Sequence, residues 1–218
     1  MTSDQDSVEH LLRRAAGGEE DAMAQLFDLH RDRLRRMVRL RMDRRLQGRV
    51  DPSDVLQDAY VDLAQKLQDY TKRPPMPFFL WLRLVVGERL LRVHRQHLGA
   101  AMRDAGREIS IHQGGLPQAS SASLAAQLLG RITSASRAVA RAEMQRLLQD
   151  TLNAMEPIDR EVIALRHFEE MSNDEVAETL GLSKAAASKR YVRAMLRLKA
   201  IAGSTPGLAD PSREHGDA

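Results

Sequence analysis

The sequence predicts an all-α fold: two small helical domains joined by a flexible linker, the C-terminal one containing a helix-turn-helix. Three observations lead there. Apolar residues recur at helical spacing over most of the chain. Aromatics are scarce while leucine, alanine, arginine and glutamine abound, a balance that favours helices over strands. And the periodicity fails between Gly99 and about Arg137, where GGLPQASSAS has the composition of a linker. A length of 218 residues admits one large or two small domains.

The elements follow in order. Residues 1–18 form a polar N-terminal extension with a short helix over Val8–Ala16, closed by Gly17-Gly18. A first domain spans residues 19–98. Its opening helix, Glu20 to Leu46, carries Met23, Leu26, Phe27, Leu34, Met37 and Val38 on one side and ends at Gly48. Asp51-Pro52 opens the next helix, with aspartate at N-cap and proline at the first helical position. Its buried stripe is expected to be Val55, Leu56, Ala59, Tyr60, Leu63 and Leu67. Three prolines between Tyr70 and Pro77 break the helix, and another runs from Pro77 to His97. The linker, 99–137, keeps apolar groups (Ile109, Ile111, Leu116, Leu124, Leu128, Leu129) that a passive spacer does not need. Either it docks on something or part of it forms a short helix packed on a domain. The second domain spans 138–202, and 203–218 is a tail whose composition predicts disorder.

The second domain ends in the most telling segment of the chain, Glu169 to Ile201. Ser172 and Glu175 have capping-box spacing, Val176, Ala177 and Leu180 form an apolar face, and Gly181 supplies a left-handed stop. Ser183 then caps a helix that begins with Ala185, Ala186, Ala187 and Ser188 and continues with Lys189, Arg190 and Arg193. Small side chains at a helix start, with cations behind them, suit entry into a DNA major groove.

Charge is segregated rather than large. The formal net charge is +3, but nine arginines crowd Arg31 to Arg49, and Asp51, Asp54, Asp58 and Asp62 follow at once. With no cysteine, disulfides, thiolate metal sites and cysteine nucleophiles are excluded. The longest apolar run, Phe78–Val86, is too short to span a membrane and contains Arg83, so a soluble, cytoplasmic protein is expected. His94 and His97, with Glu88 and His112 near in sequence, lack the further matched ligands of a metal centre, and no phosphate loop or nucleophile constellation is visible. No cofactor, metal or catalytic residue is expected: the chain reads as a non-enzyme.

Taken together, the motifs resemble bacterial RNA polymerase sigma factors of the extracytoplasmic-function (ECF) type. The acidic helix Asp51, Asp54, Val55, Leu56, Gln57, Asp58, the Trp81-Leu82 pair opening a basic-ended helix, MEPIDREV (155–162) and SNDEVAETLGLS (172–183) carry the resemblance, over roughly 19–97 and 141–201. Glu88, preceded by Gly87, stands where the family often has asparagine, and Ala185–Arg190 departs from the usual G-T-V-K-S-R. The resemblance implies core RNA polymerase (β′ clamp and β subunit) and promoter DNA as partners, with room for an anti-sigma factor and no membrane. It places core binding on the outward face of the acidic helix, at Asp54, Gln57, Asp58 and Asp62. Reading and melting of the −10 element fall to Lys72, Arg73, Arg83, Arg89, Arg92 and Arg95. Reading of the −35 element falls to Ser183, Lys184, Ser188, Lys189, Arg190 and Arg193. Two rivals remain: a helix-turn-helix regulator of the response-regulator type, which needs an α/β domain upstream, and a helical adaptor that does not bind DNA.

Overall fold

The structure, a computed structural model, describes residues 2–99, 116–132 and 138–204. All regular structure among them is helical, and the chain divides into two compact units, Met1–Gln118 and Ala119–Ala218.

In the first unit, α1 (Thr2–Ala16), α2 (Glu20–Arg41), α3 (Pro52–Lys72) and α4 (Phe78–Leu98) pack on one another. Leu26, Leu34, Val38, Leu63, Leu82, Val86 and Leu90 fill the core. The α2 helix stops at Arg41, earlier than its periodicity suggests, because Met42 turns extended at ψ 129° and the Asp43 carboxylate accepts the Arg45 N–H at 2.8 Å. That side chain gives the backbone an alternative to another helical turn. As expected, Asp51 caps α3, accepting from the Ser53 N–H at 2.7 Å ahead of Pro52. Tyr60 is only half-buried, its ring meeting Phe27 edge-on at 5.3 Å.

The far end of the interdomain segment returns to this unit. Leu116 is buried against Gly87, where a Cβ would lie 1.5 Å from the leucine Cδ2. The buried Arg41 guanidinium donates to the Pro117 carbonyl at 2.8 Å. Gly87 is therefore a notch for Leu116, which accounts for a glycine in mid-helix despite its cost of about 1 kcal/mol relative to alanine.

The second unit contains α5 (Ser121–Ile132), α6 (Ala138–Asn153), α7 (Pro157–Ile163) running into a π-helical turn (Ala164–Phe168), α8 (Asn173–Leu180) and α9 (Lys184–Ser204). Helix α5 lies within the stretch expected as linker. It packs on α6 and buries Leu124, Ala125, Leu128 and Leu129, three of which (Leu124, Leu128 and Leu129) are apolar residues that a bare spacer left unexplained. Phe168, at the end of the π-helical turn, is the largest fully buried side chain of this unit. Ile109, Ile111 and the tail beyond 204 lie outside the described residues.

Candidate functional site

Three surfaces carry the residues singled out from sequence. On α3, Asp54, Gln57 and Asp58 are exposed, as the amphipathic pattern requires. Asp62 is not: its side chain is 10% exposed, and it lies three residues after Ala59, on the buried stripe. The outward position is taken by Val61, 54% exposed and three residues after Asp58. A face of three polar groups around one exposed β-branched residue thus replaces the expected row of acids. The signal was present in the i, i+3 spacing of Asp58 and Val61, but an exposed valine carries no chemistry of its own to draw attention.

The Asp62 carboxylate instead holds α4. It accepts from Arg89 Nε at 2.9 Å and Nη2 at 2.6 Å, and from Arg92 Nη2 at 2.6 Å. Asp58 adds a longer ion pair to Arg89 at 3.8 Å. Such bidentate, charge-assisted bonds are strong because the planar guanidinium matches a carboxylate. Hydrogen bonding to Asp62 raises the Arg89 pKa further. Arg83 also departs from the expectation of an exposed cation: it is buried, in line with Leu80, Gly87, Leu90 and His94. Arg95 is exposed at the far end of α4, and Lys72 and Arg73 are exposed at the loop after α3. That loop is closed by Tyr70, whose hydroxyl donates to the Met76 carbonyl at 3.0 Å and whose ring stacks on Trp81 at 4.4 Å. Phe78 and Phe79 are core residues; Trp81 is half-exposed.

His94 is buried and its Nε2 accepts the Asp43 N–H at 3.3 Å, so it serves the fold beneath the α2 terminus. Burial pushes its pKa below the usual histidine value. Glu88 pairs on the surface with Lys66 at 2.6 Å, and His112 lies outside the described residues. No group of three or more metal-ligating side chains occurs among the described residues.

The third surface is the helix-turn-helix. Ser172 Oγ accepts the Glu175 N–H at 3.2 Å while the Glu175 carboxylate accepts the Ser172 N–H at 2.7 Å, a reciprocal box that fixes the start of α8. Gly181 turns left-handed at φ +62°, and Ser183 Oγ accepts the Ala186 N–H at 3.2 Å to start α9. Asn173 Nδ2 donates across the corner to the Lys184 carbonyl at 2.9 Å. On α9, Ala187, Ala194 and Leu198 are buried, whereas Ser183, Lys184, Ser188, Lys189 and Arg193 are exposed. Lys184 reaches Asp174 at 2.6 Å, a solvated pair of little energetic weight. Arg190 is half-buried. It pairs with Glu156 at 2.8 Å and Asp159 at 2.6 Å, and Arg193 reaches Asp159 at 3.4 Å. Further along, Val192 and Leu196 are exposed at 53% and 62%.

Comparison with known proteins shows what these surfaces are similar to. Residues 145–198, which hold α8 and most of α9, match the family described as Sigma-70, region 4. A 53-residue stretch is 42% identical to the RNA polymerase sigma-E factor of Streptomyces coelicolor and 42% identical to that of Streptomyces avermitilis. In each case it covers 24% of this chain and 30% of the relative, so the matched stretch spans less than a third of those relatives. At the level of structure the chain is similar to CnrH, solved in complex with the cytosolic domain of CnrY. That likeness covers 89% of this chain and 96% of that one, at 26% identity and a TM-score of 0.51. Residues 145–198 are thus similar to sigma-70 region 4, and over most of its length the chain's fold is similar to that of CnrH. No helix among the described residues is long and apolar enough to cross a membrane.

Proposed function

We propose that the chain is an alternative sigma factor. It binds core RNA polymerase and directs promoter-specific initiation by reading and melting the −10 element and reading the −35 element; it is not itself a catalyst. The observation that carries this reading is the capped turn between α8 and α9 inside the region 4 match, with exposed Ser188 and Lys189 at the start of the second helix.

Each interface has a physical basis. The exposed face Asp54, Gln57, Asp58 and Val61 suits the β′ clamp: carboxylates speed encounter with a basic surface, and the apolar centre is shed from water on contact. Exposed Val192 and Leu196 suit an apolar contact with the β subunit. Melting requires capturing an unstacked base and holding the displaced strand against cations. Lys72, Arg73 and Arg95 supply exposed charge for that, beside the half-exposed Trp81. Asp62 is withdrawn from the clamp face, and Arg83 from the −10 face. An anti-sigma protein covering either face would keep the factor silent. Reduced, cytoplasmic surroundings fit a cysteine-free chain working on the genome.

Run-off transcription tests the reading. Core polymerase with this protein and genomic fragments should initiate at discrete sites, and Val61→Asp should reduce core binding about tenfold without unfolding the chain. Tight DNA binding by the protein alone, with no change in start sites when core is added, would favour the regulator. Association with neither DNA nor core would favour the adaptor.

A further inference from the structure

The recognition helix is held by a buried acid that the DNA-binding reading leaves unused. Asp159, on α7, is 2% exposed. Its Oδ1 accepts from Arg190 Nη1 at 2.6 Å and its Oδ2 from Arg193 Nη2 at 3.4 Å. Glu156, at the N-cap of α7, takes the same Arg190 nitrogen at 2.8 Å. Arg190 stands three residues after Ala187 and four before Ala194, both 1% exposed, so it lies toward the packed side of α9. The fully buried contacts of that side are small, two alanines and, a turn on, Leu198, with Tyr191 and Met195 half-buried beside them. Alanine against a neighbouring helix fixes distance well but resists rotation about the helix axis poorly, having no side chain to interdigitate.

We propose that Asp159 is a positioning residue for promoter recognition: by gripping Arg190 and Arg193 it sets the roll of α9 and keeps Arg190 off the DNA backbone, so that Ser188 and Lys189 face base edges. The proposal rests on the reading of α9 as the −35-recognition helix and reassigns Arg190 from DNA contact to internal clamp. A buried carboxylate is suited to that work. Leaving it without cations is costly, so the two arginines are retained in one geometry. Specificity depends on such restraint, because a cation released from an internal partner neutralises any phosphate in reach, whatever the sequence.

The test uses the full chain assembled with core polymerase. The wild-type holoenzyme is first used to enrich duplexes from a random pool. Binding is then measured, across about 50 to 200 mM salt, to an enriched duplex and to one scrambled in its upstream element alone. Asp159→Asn, which keeps the shape and removes the charge, should lower the ratio of the two affinities about tenfold. It should also tighten binding to the scrambled duplex and steepen the salt dependence by about one released ion, the freed arginine now meeting phosphate. Arg190→Gln should lower the ratio while leaving the salt dependence as in wild type; this second variant decides the matter if Asp159→Asn does not fold. An Asp159→Asn ratio and salt slope equal to wild type overturn the proposal. So does an Arg190→Gln slope shallower by about one ion, which would make Arg190 an ordinary phosphate contact. A parallel loss of both affinities in Asp159→Asn overturns it too, since that is a structural defect and not lost positioning. If the wild-type holoenzyme enriches no upstream element, the promoter-recognition reading fails first and this proposal falls with it, a result distinct from a wild type that discriminates and variants that do not differ.

Discussion

The two units solve one problem with the same parts and different geometry. In each, a buried aspartate on one helix holds two arginines spaced three apart on another: Asp62 with Arg89 and Arg92, Asp159 with Arg190 and Arg193. Asp62 has both oxygens engaged by short bonds, two of them from a single guanidinium. Asp159 has one short bond and one long one, and its main partner is shared with Glu156. The N-terminal pair is a weld between α3 and α4. The C-terminal one is a looser clamp on a helix that must present side chains to an outside partner. The difference shows that the same residue types at the same spacing carry different weight according to how completely the carboxylate is satisfied.

The widest gap should appear on removing the charge from each acid. Asp62→Asn should cost about 2–3 kcal/mol, below the range for a fully buried pair because Arg89 and Arg92 are 21% and 39% exposed. Urea unfolding followed by the fluorescence of Trp81, the sole tryptophan, reports the N-terminal unit directly. Asp159→Asn should cost less, about 1–2 kcal/mol, read by the loss of helical circular dichroism that does not track the tryptophan signal. Equal costs for the two would erase the distinction between weld and clamp.

Acidification should sharpen the contrast from the N-terminal side. Burial disfavours the charged form of His94, so between its folded pKa and the usual 6.5 the unfolded chain binds more protons than the folded one. The stability this histidine contributes is therefore fully present above about 6.5 and is lost as the pH falls through the folded value. The Trp81 transition should weaken over that interval in wild type and not in His94→Gln. The smallest effect belongs to the exposed Lys66–Glu88 pair, with side chains 45% and 56% exposed. Lys66→Ala should change stability by less than about 0.5 kcal/mol, confirming that pairing matters here only when an acid is buried.

Much of the helix-turn-helix was legible in advance because its determinants are local. The capping box needs Ser172 and Glu175 three apart, the turn needs a residue that tolerates positive φ, and both requirements are met within a dozen positions. The proline-capped start of α3 was legible for the same reason. Helix α5 was only half legible, as one of two readings of a stretch whose composition imitates a spacer; the burial of Leu124, Ala125, Leu128 and Leu129 against α6 gives it a reason to form.

What the sequence determined by itself was the type and order of most elements and which cations and acids stood on helices, since periodicity, caps and turns act over a few residues. Which of those charges face outward was decided only by the tertiary structure. Asp62, Arg83 and Arg190 sit on amphipathic helices where one step in position turns a side chain by about 100°. Whether such a side chain meets solvent or a buried partner depends on a helix tens of residues away. Gly87 makes the same point: on α4 alone it is a weak spot, and only Leu116, returning from the far end of the interdomain segment, turns it into a fitted notch.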